Sequence, residues 1–147
     1  MSNGECMRPH WIDARKSTGR RSAIAVLDPA TGEVLDSVAR GTAEDADRAV
    51  RAARAAFEGW RFLPGVEKAG LLHEVARRMR ERHRELATTM TREGGKPYCE
   101  NYDEVEWSAA CFYYYAEVGR DARGSSIPPV APHQVNFTIK EPYGVVA

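Results

Sequence analysis

Glu141-Pro142-Tyr143-Gly144-Val145-Val146-Ala147 decides what kind of fold the rest of the sequence can belong to. Its first four residues have turn chemistry, proline presetting φ and glycine tolerating a positive φ. Val145, Val146 and Ala147 are β-branched or small and uniformly apolar, the opening of a strand without polar alternation. A strand apolar on both faces belongs inside an α/β layer. The expectation is that residues 142–147 are the truncated start of a core strand whose sheet lies in sequence this chain does not contain.

Just upstream, Val135, Phe137 and Ile139 alternate with Asn136, Thr138 and Lys140, which predicts a half-buried strand over 135–141. Asn136-Phe137-Thr138 fits a glycosylation sequon, but with no secretory leader it reads as an ordinary strand segment. Ile127-Pro128-Pro129-Val130-Ala131-Pro132 predicts an extended, polyproline-like connector. Before it, a helix over about 100–120 carries Val105, Ala109, Phe112 and Ala116 on one stripe and Trp107, Cys111, Tyr114 and Val118 on a second. Such a helix asks for cover on several sides, more than two other helices and a hairpin supply.

The earlier helices are more ordinary. One over about 66–92 places Leu72, Val75, Ala76, Met79, Leu86 and Met90 on one stripe and mixes arginines with glutamates on the other, a salt-bridged solvent face. Gly94-Gly95-Lys96-Pro97 ends it, glycine taking the left-handed position and proline forbidding continuation. Thr42-Ala43-Glu44-Asp45 has the form of a capping box and opens a helix with Ala46, Ala49, Val50, Ala53, Ala56 and Phe57 at helical spacing. Apolar Ala23 to Leu27, the turn Asp28-Pro29-Ala30-Thr31-Gly32 and the run 33–39 predict a β-hairpin. Residues 1–22 lack periodicity and predict a flexible tail or loose strand.

At 147 residues the chain has room for one domain. Lys plus Arg and Asp plus Glu both number 21, so no net field favours nucleic acid, even with an arginine-rich helix, or an anionic membrane. No apolar run reaches the roughly 18 residues of a membrane span, and the chain reads as cytoplasmic. Cys6, Cys99 and Cys111 show no Cys-x-x-Cys pair and read as free thiols, Cys111 as a core residue. His73 and His83 stand ten apart on one helix, not the three or four of a shared metal, and read as surface or packing residues. No phosphate-cradling glycine loop is present, and the residues by themselves supply no catalytic constellation.

Asp28-Pro29-Ala30-Thr31-Gly32-Glu33-Val34, the helix ending Ala53-Arg54-Ala55-Ala56-Phe57, the break Arg92-Glu93-Gly94-Gly95-Lys96-Pro97, Cys111-Phe112-Tyr113-Tyr114-Tyr115-Ala116, and Glu141-Pro142-Tyr143-Gly144-Val145-Val146 occur in one order and spacing. Together they resemble the N-terminal part of the aldehyde dehydrogenase superfamily, over nearly everything after Trp11 and roughly the first third of a typical member. The resemblance implies an α/β parent fold with a Rossmann-type cofactor domain, of which this chain is a mainly helical N-terminal fragment with a β-hairpin and a C-terminal strand. Residues 23–134 would then be the N-terminal segment of the cofactor-binding domain and 135–141 an oligomerisation strand.

Members of that superfamily oxidise aldehydes to acids with NAD or NADP through a cysteine nucleophile, an oxyanion-binding asparagine and a water-activating glutamate. None of these falls on this sequence, so no catalytic and no cofactor-binding residue is assigned here, and the chain alone is expected to be inactive. The resemblance places a monovalent-cation site on the carbonyls of Val26 and Leu27 and the side chain of Glu93, where aspartate is usual. It places Asp103, Glu104 and Trp107 towards the aldehyde entry tunnel; an acidic helix start with an ordinary core tryptophan explains the same residues. The implied partners are an aldehyde substrate and, at full length, further copies in a homo-oligomer, with no nucleic acid and no membrane. The competing reading is a stand-alone helical interaction protein derived from the same family.

Overall fold

The computed structural model describes residues 7–17 and 22–147. Along them run β1 (His10–Ile12), β2 (Arg15–Ser17), β3 (Ala23–Leu27), β4 (Val34–Ala39), α1 (Ala43–Arg61), α2 (Gly65–Glu81), α3 (His83–Gly94), α4 (Tyr98–Arg120), β5 (Ser126–Ile127) and β6 (Asn136–Phe137). The strands pair only with their sequence neighbours, as three antiparallel two-stranded sheets among the described residues. The fold is mainly helical, as expected, and among the described residues it has three short hairpins where the sequence predicts one hairpin and a C-terminal strand.

Small residues build the helical core. Ala69, Ala76, Ala87, Val105, Ala109 and Ala116 are buried, and with so little side chain between them α2 and α3 both pack directly on α4. The stripe Val105, Ala109, Phe112 and Ala116 is the one that faces these helices. Opposite it, the arginines of α2 pair with glutamates: Arg77 with Glu74 and Glu81, and Arg78 with Glu74. This is the solvated, salt-bridged face that the sequence implies. His73 and His83 are packing residues against α4, His73 beside Tyr113 and His83 stacked on Tyr102 at 3.8 Å between ring centroids.

Thr42 caps α1 as its sequence suggests. Its hydroxyl accepts from the Asp45 amide at 3.3 Å while the Asp45 carboxylate accepts from the Thr42 amide at 2.9 Å. The rest of α1 has few neighbours, and Val50 and Trp60 are exposed. An open groove of about 330 Å³ separates Ala53, Phe57 and Trp60 from Gly144, Val145 and Val146.

Five expectations change. The helix foreseen over 66–92 is two helices, broken at Arg82, whose amide donates to the Arg78 and Arg80 carbonyls. No glycine or proline marks the break. It sits where His83 Nε2 donates to the Tyr102 carbonyl at 2.5 Å and Arg80 pairs with Glu106, so contacts with α4 override a continuous helical pattern. Over residues 7–17 the expected flexible tail or loose strand is an ordered hairpin, turning at Asp13 and Ala14 with φ of 54° and 55°. Arg8 adds a bridge to β4: its amide donates to Ser37 O at 2.8 Å and its carbonyl accepts from Ala39 at 3.0 Å. Such long-range pairing leaves no local sequence signal. The rest of the expected tail, including Cys6, lies outside the described residues.

The other three changes share one physical cause. Ile127, expected to open a polyproline-like connector, pairs instead with Asn136, and Ser126 before it with Phe137, as β5 and β6. The strand expected over 135–141 is confined to Asn136–Phe137, and Val135, Phe137 and Ile139 are exposed. Val145 to Ala147 form no strand, and Val146 is 80% exposed. An extended segment becomes a strand only where a neighbour accepts and donates its main-chain hydrogen bonds. Among the described residues, 145–147 meet no such neighbour.

Candidate cation site and tunnel-facing helix

The residues expected at a cation site come from two elements, and the turns beyond those elements touch. On the hairpin, Val26 lies opposite Asp36 and Leu27 opposite Val34, so Leu35 is the extra residue of a β-bulge. Asp28 starts the turn, its carboxylate accepting from the Ala30 amide at 2.9 Å. On the other side, α3 ends one residue after Glu93, and Gly95 caps it in the left-handed conformation at φ 72°, donating to Thr91 O at 2.8 Å. A Cβ at Gly95 would stand 2.7 Å from Pro29 Cγ. Glycine is therefore required there twice, by its φ and by the approach of the hairpin turn.

Glu93, Asp36 and Leu35 line one open depression of about 150 Å³ with Thr89, Arg92 and Arg8. Asp36 is committed: Arg8 Nε donates to it at 2.7 Å and the Ser37 amide at 2.7 Å, and the Arg8 hydrogen bond above all holds its carboxyl below the usual range. Among the described residues no three His, Cys, Asp or Glu side chains gather as metal ligands. A donor set of main-chain carbonyls with one carboxylate is all hard oxygen, which suits an alkali cation rather than a transition metal.

A second group of contacts holds the turn that follows Glu93. Asn101, 2% exposed, donates from Nδ2 to Thr91 Oγ1 at 2.9 Å and to the Lys96 carbonyl at 3.2 Å. Lys96 reaches along α4 to Glu104 and to Glu100, the latter at 3.5 Å. Sequence reasoning missed Asn101. It stands four residues before Val105, on the buried stripe of α4, and a carboxamide in that register was the available signal.

The three expected tunnel residues do not act alike. Glu104 is half-buried and neutralised by Lys96, whose ammonium is held protonated above its usual range chiefly by that hydrogen bond. Asp103 is exposed and Trp107 is 67% exposed, four residues apart on the side of α4 away from α2 and α3. Trp107 is thus no core residue. Cys111, expected in the core, is exposed on the same side, with Tyr114 and Val118. The packed stripe already fills the space against α2 and α3 with alanines, so the aromatic stripe is left facing outward.

The aldehyde dehydrogenase family model matches residues 14–147. The chain belongs to the aldehyde dehydrogenase family. It is 38% identical to aminoaldehyde dehydrogenase 2 of Zea mays over 136 residues, covering 87% of this chain and 26% of that protein. It is 35% identical to the NADP(+) succinate-semialdehyde dehydrogenase of Escherichia coli, covering 99% of this chain and 28% of that one. Among solved structures, a betaine aldehyde dehydrogenase of Staphylococcus aureus in complex with NAD+ superimposes with a TM-score of 0.85 at 28% identity, over 92% of this chain and 28% of its own. The chain therefore spans little more than a quarter of the length of these relatives, less than the third expected from sequence.

Proposed function

We propose that this chain is the scaffold portion of an NAD(P)-dependent aldehyde dehydrogenase, supplying a tunnel wall, a cation site and an oligomerisation strand but no reacting group. The observation that carries the reading is the outward face of α4. Trp107, Tyr114 and Val118 are exposed in a chain that reproduces the backbone of dehydrogenases about four times its length. In the whole enzyme that face and the apolar face of α1 pack against the remaining three quarters, and residues 145–147 join its sheet.

The substrate is an aldehyde, and Asp103 with Trp107 forms the part of the entry that this chain contributes. A carboxylate one helical turn from an indole suits an aldehyde with a cationic far end, by charge and by cation–π attraction. Glu104 adds little, because Lys96 holds it. Bound NAD or NADP would accept the hydride; no residue of this chain is assigned to hold it. Asn136–Phe137, whose outer edge pairs with no strand among the described residues, with Val135, Phe137 and Ile139 exposed, is the surface offered to a second copy. The enzyme is proposed to be cytoplasmic; independently of that, no helix among the described residues is long and apolar enough to cross a membrane.

Two assays test the proposal. The purified chain, given NAD or NADP and a panel of aldehydes, should form no reduced nicotinamide above the uncatalysed rate. A chimera carrying residues 14–147 in place of the matching segment of the Escherichia coli relative should be active. Turnover by the chain alone, or a folded but inert chimera, contradicts the reading.

A further inference from the structure

We infer that Asn101, acting with the Pro29–Gly95 contact, is the positioning device that sets Glu93 against the β3–β4 bulge and so fixes the affinity of the site for a monovalent cation. The inference rests on the cation-site reading above and adds residues to which that reading gives no role. Glu93 lies at the last turn of α3, where a helix frays unless its end is held. Two fastenings hold it here. Asn101 reaches back from the first turn of α4 to the Thr91 hydroxyl before Glu93 and to the Lys96 carbonyl after it, clamping the segment from both sides. Gly95, two residues beyond Glu93, takes the left-handed turn directly against Pro29, two residues beyond Leu27.

The two ends of the donor set are therefore registered to each other through a van der Waals contact, not through the cation. Asn101 is 2% exposed and both amide hydrogens are used, so its carboxamide has little freedom to realign. A carboxylate held in place before the ion arrives loses less conformational freedom on binding. Asn101 touches neither ion nor substrate. It acts through the turn.

The test is a melting titration of the 147-residue chain with sodium or potassium chloride against choline chloride at matched ionic strength. The unaltered chain should melt higher in the alkali salt, with a saturable dependence on its concentration. Glu93→Gln should abolish the dependence. Asn101→Ser, which removes the amide donors, and Gly95→Ala, which drives a methyl into Pro29, should each still fold but require about tenfold more cation for half the effect, the usual scale for losing a group that orients a ligand. A general loss of stability would lower the melting temperature equally in both salts and leave that midpoint where it was. An unaltered chain indifferent to alkali cation overturns the site itself. A dependence lost in Glu93→Gln but unmoved in Asn101→Ser and Gly95→Ala leaves the site standing and overturns the positioning role.

Discussion

The two sides of α4 have the same apolar appearance in sequence and opposite fates in the structure. On one, Asn101, Val105, Ala109 and Ala116 are buried, and the side chains are small enough for α2 and α3 to lie close. On the other, Trp107, Tyr114, Tyr115 and Val118 are exposed, the larger and more costly residues to leave in water. Monomeric proteins do not ordinarily place their largest side chains outward along one helix face while filling the inside with alanine. The contrast teaches that the small-residue face is the packing surface of this chain and the aromatic face a surface meant for something else.

Neighbouring residues give the sharpest way to break that comparison. Ala109 is fully buried and Ala110 exposed. Ala109→Leu should cost about 1–3 kcal/mol through overpacking between α4 and its neighbours, while Ala110→Leu should stay within about 0.5 kcal/mol; equal effects in denaturant unfolding would mean that the two faces are not distinct. Next in size, Val105→Ala removes the largest fully buried side chain and should cost about 2 kcal/mol by lost burial and the cavity left.

A smaller effect comes from the ion pairs along α2 and α3 and between α2 and α4. Hydrogen bonds from Arg77 and Arg78 hold the Glu74 carboxyl at about 2, from an ordinary value of 4.5, and Arg82 and Arg80 likewise lower Glu85 and Glu106. Carboxyls depressed in the folded state favour folding above their ordinary value, so this contribution should be lost as the pH falls from 4.5 towards about 2. The pairs are solvent-exposed, so the drop in melting temperature should be modest and shrink with added salt. A transition unmoved across that range would remove the pairs from the account. Smallest of all, Trp107→Ala should leave the melting temperature nearly unchanged while reducing the binding of a hydrophobic dye. A substantial loss of stability would mean that Trp107 is packed after all.

Much of this was legible in the sequence, and where it was not the cause is long-range. The capping box at Thr42, the turn at Asp28 and the left-handed Gly95 are local devices, and each lies where its residues predict. The break at Arg82 was illegible because it answers to Tyr102 and Glu106, some twenty residues on. β1 and β2 were legible only as a flexible tail or loose strand, because a three-residue strand has too little alternation to show its pairing. Val145 to Ala147 read as a strand because they carry strand residues, yet pairing needs a partner that the described residues do not offer. Of the candidate site, Glu93 with Val26 and Leu27 came from family resemblance and Asn101 from the structure, since a buried amide advertises itself only once its stripe is known to be the buried one.

Cys111 reports on the central claim more directly than any activity. It lies on the outward side of α4 and is exposed in this chain. Peptide-resolved alkylation with iodoacetamide should label it readily in the chain alone and far more slowly in the dehydrogenase chimera, with the denatured chimera giving the unprotected rate. Equal labelling in the chain and in a folded, active chimera would show that this face stays open in the whole enzyme, and the account of α4 would fall with it.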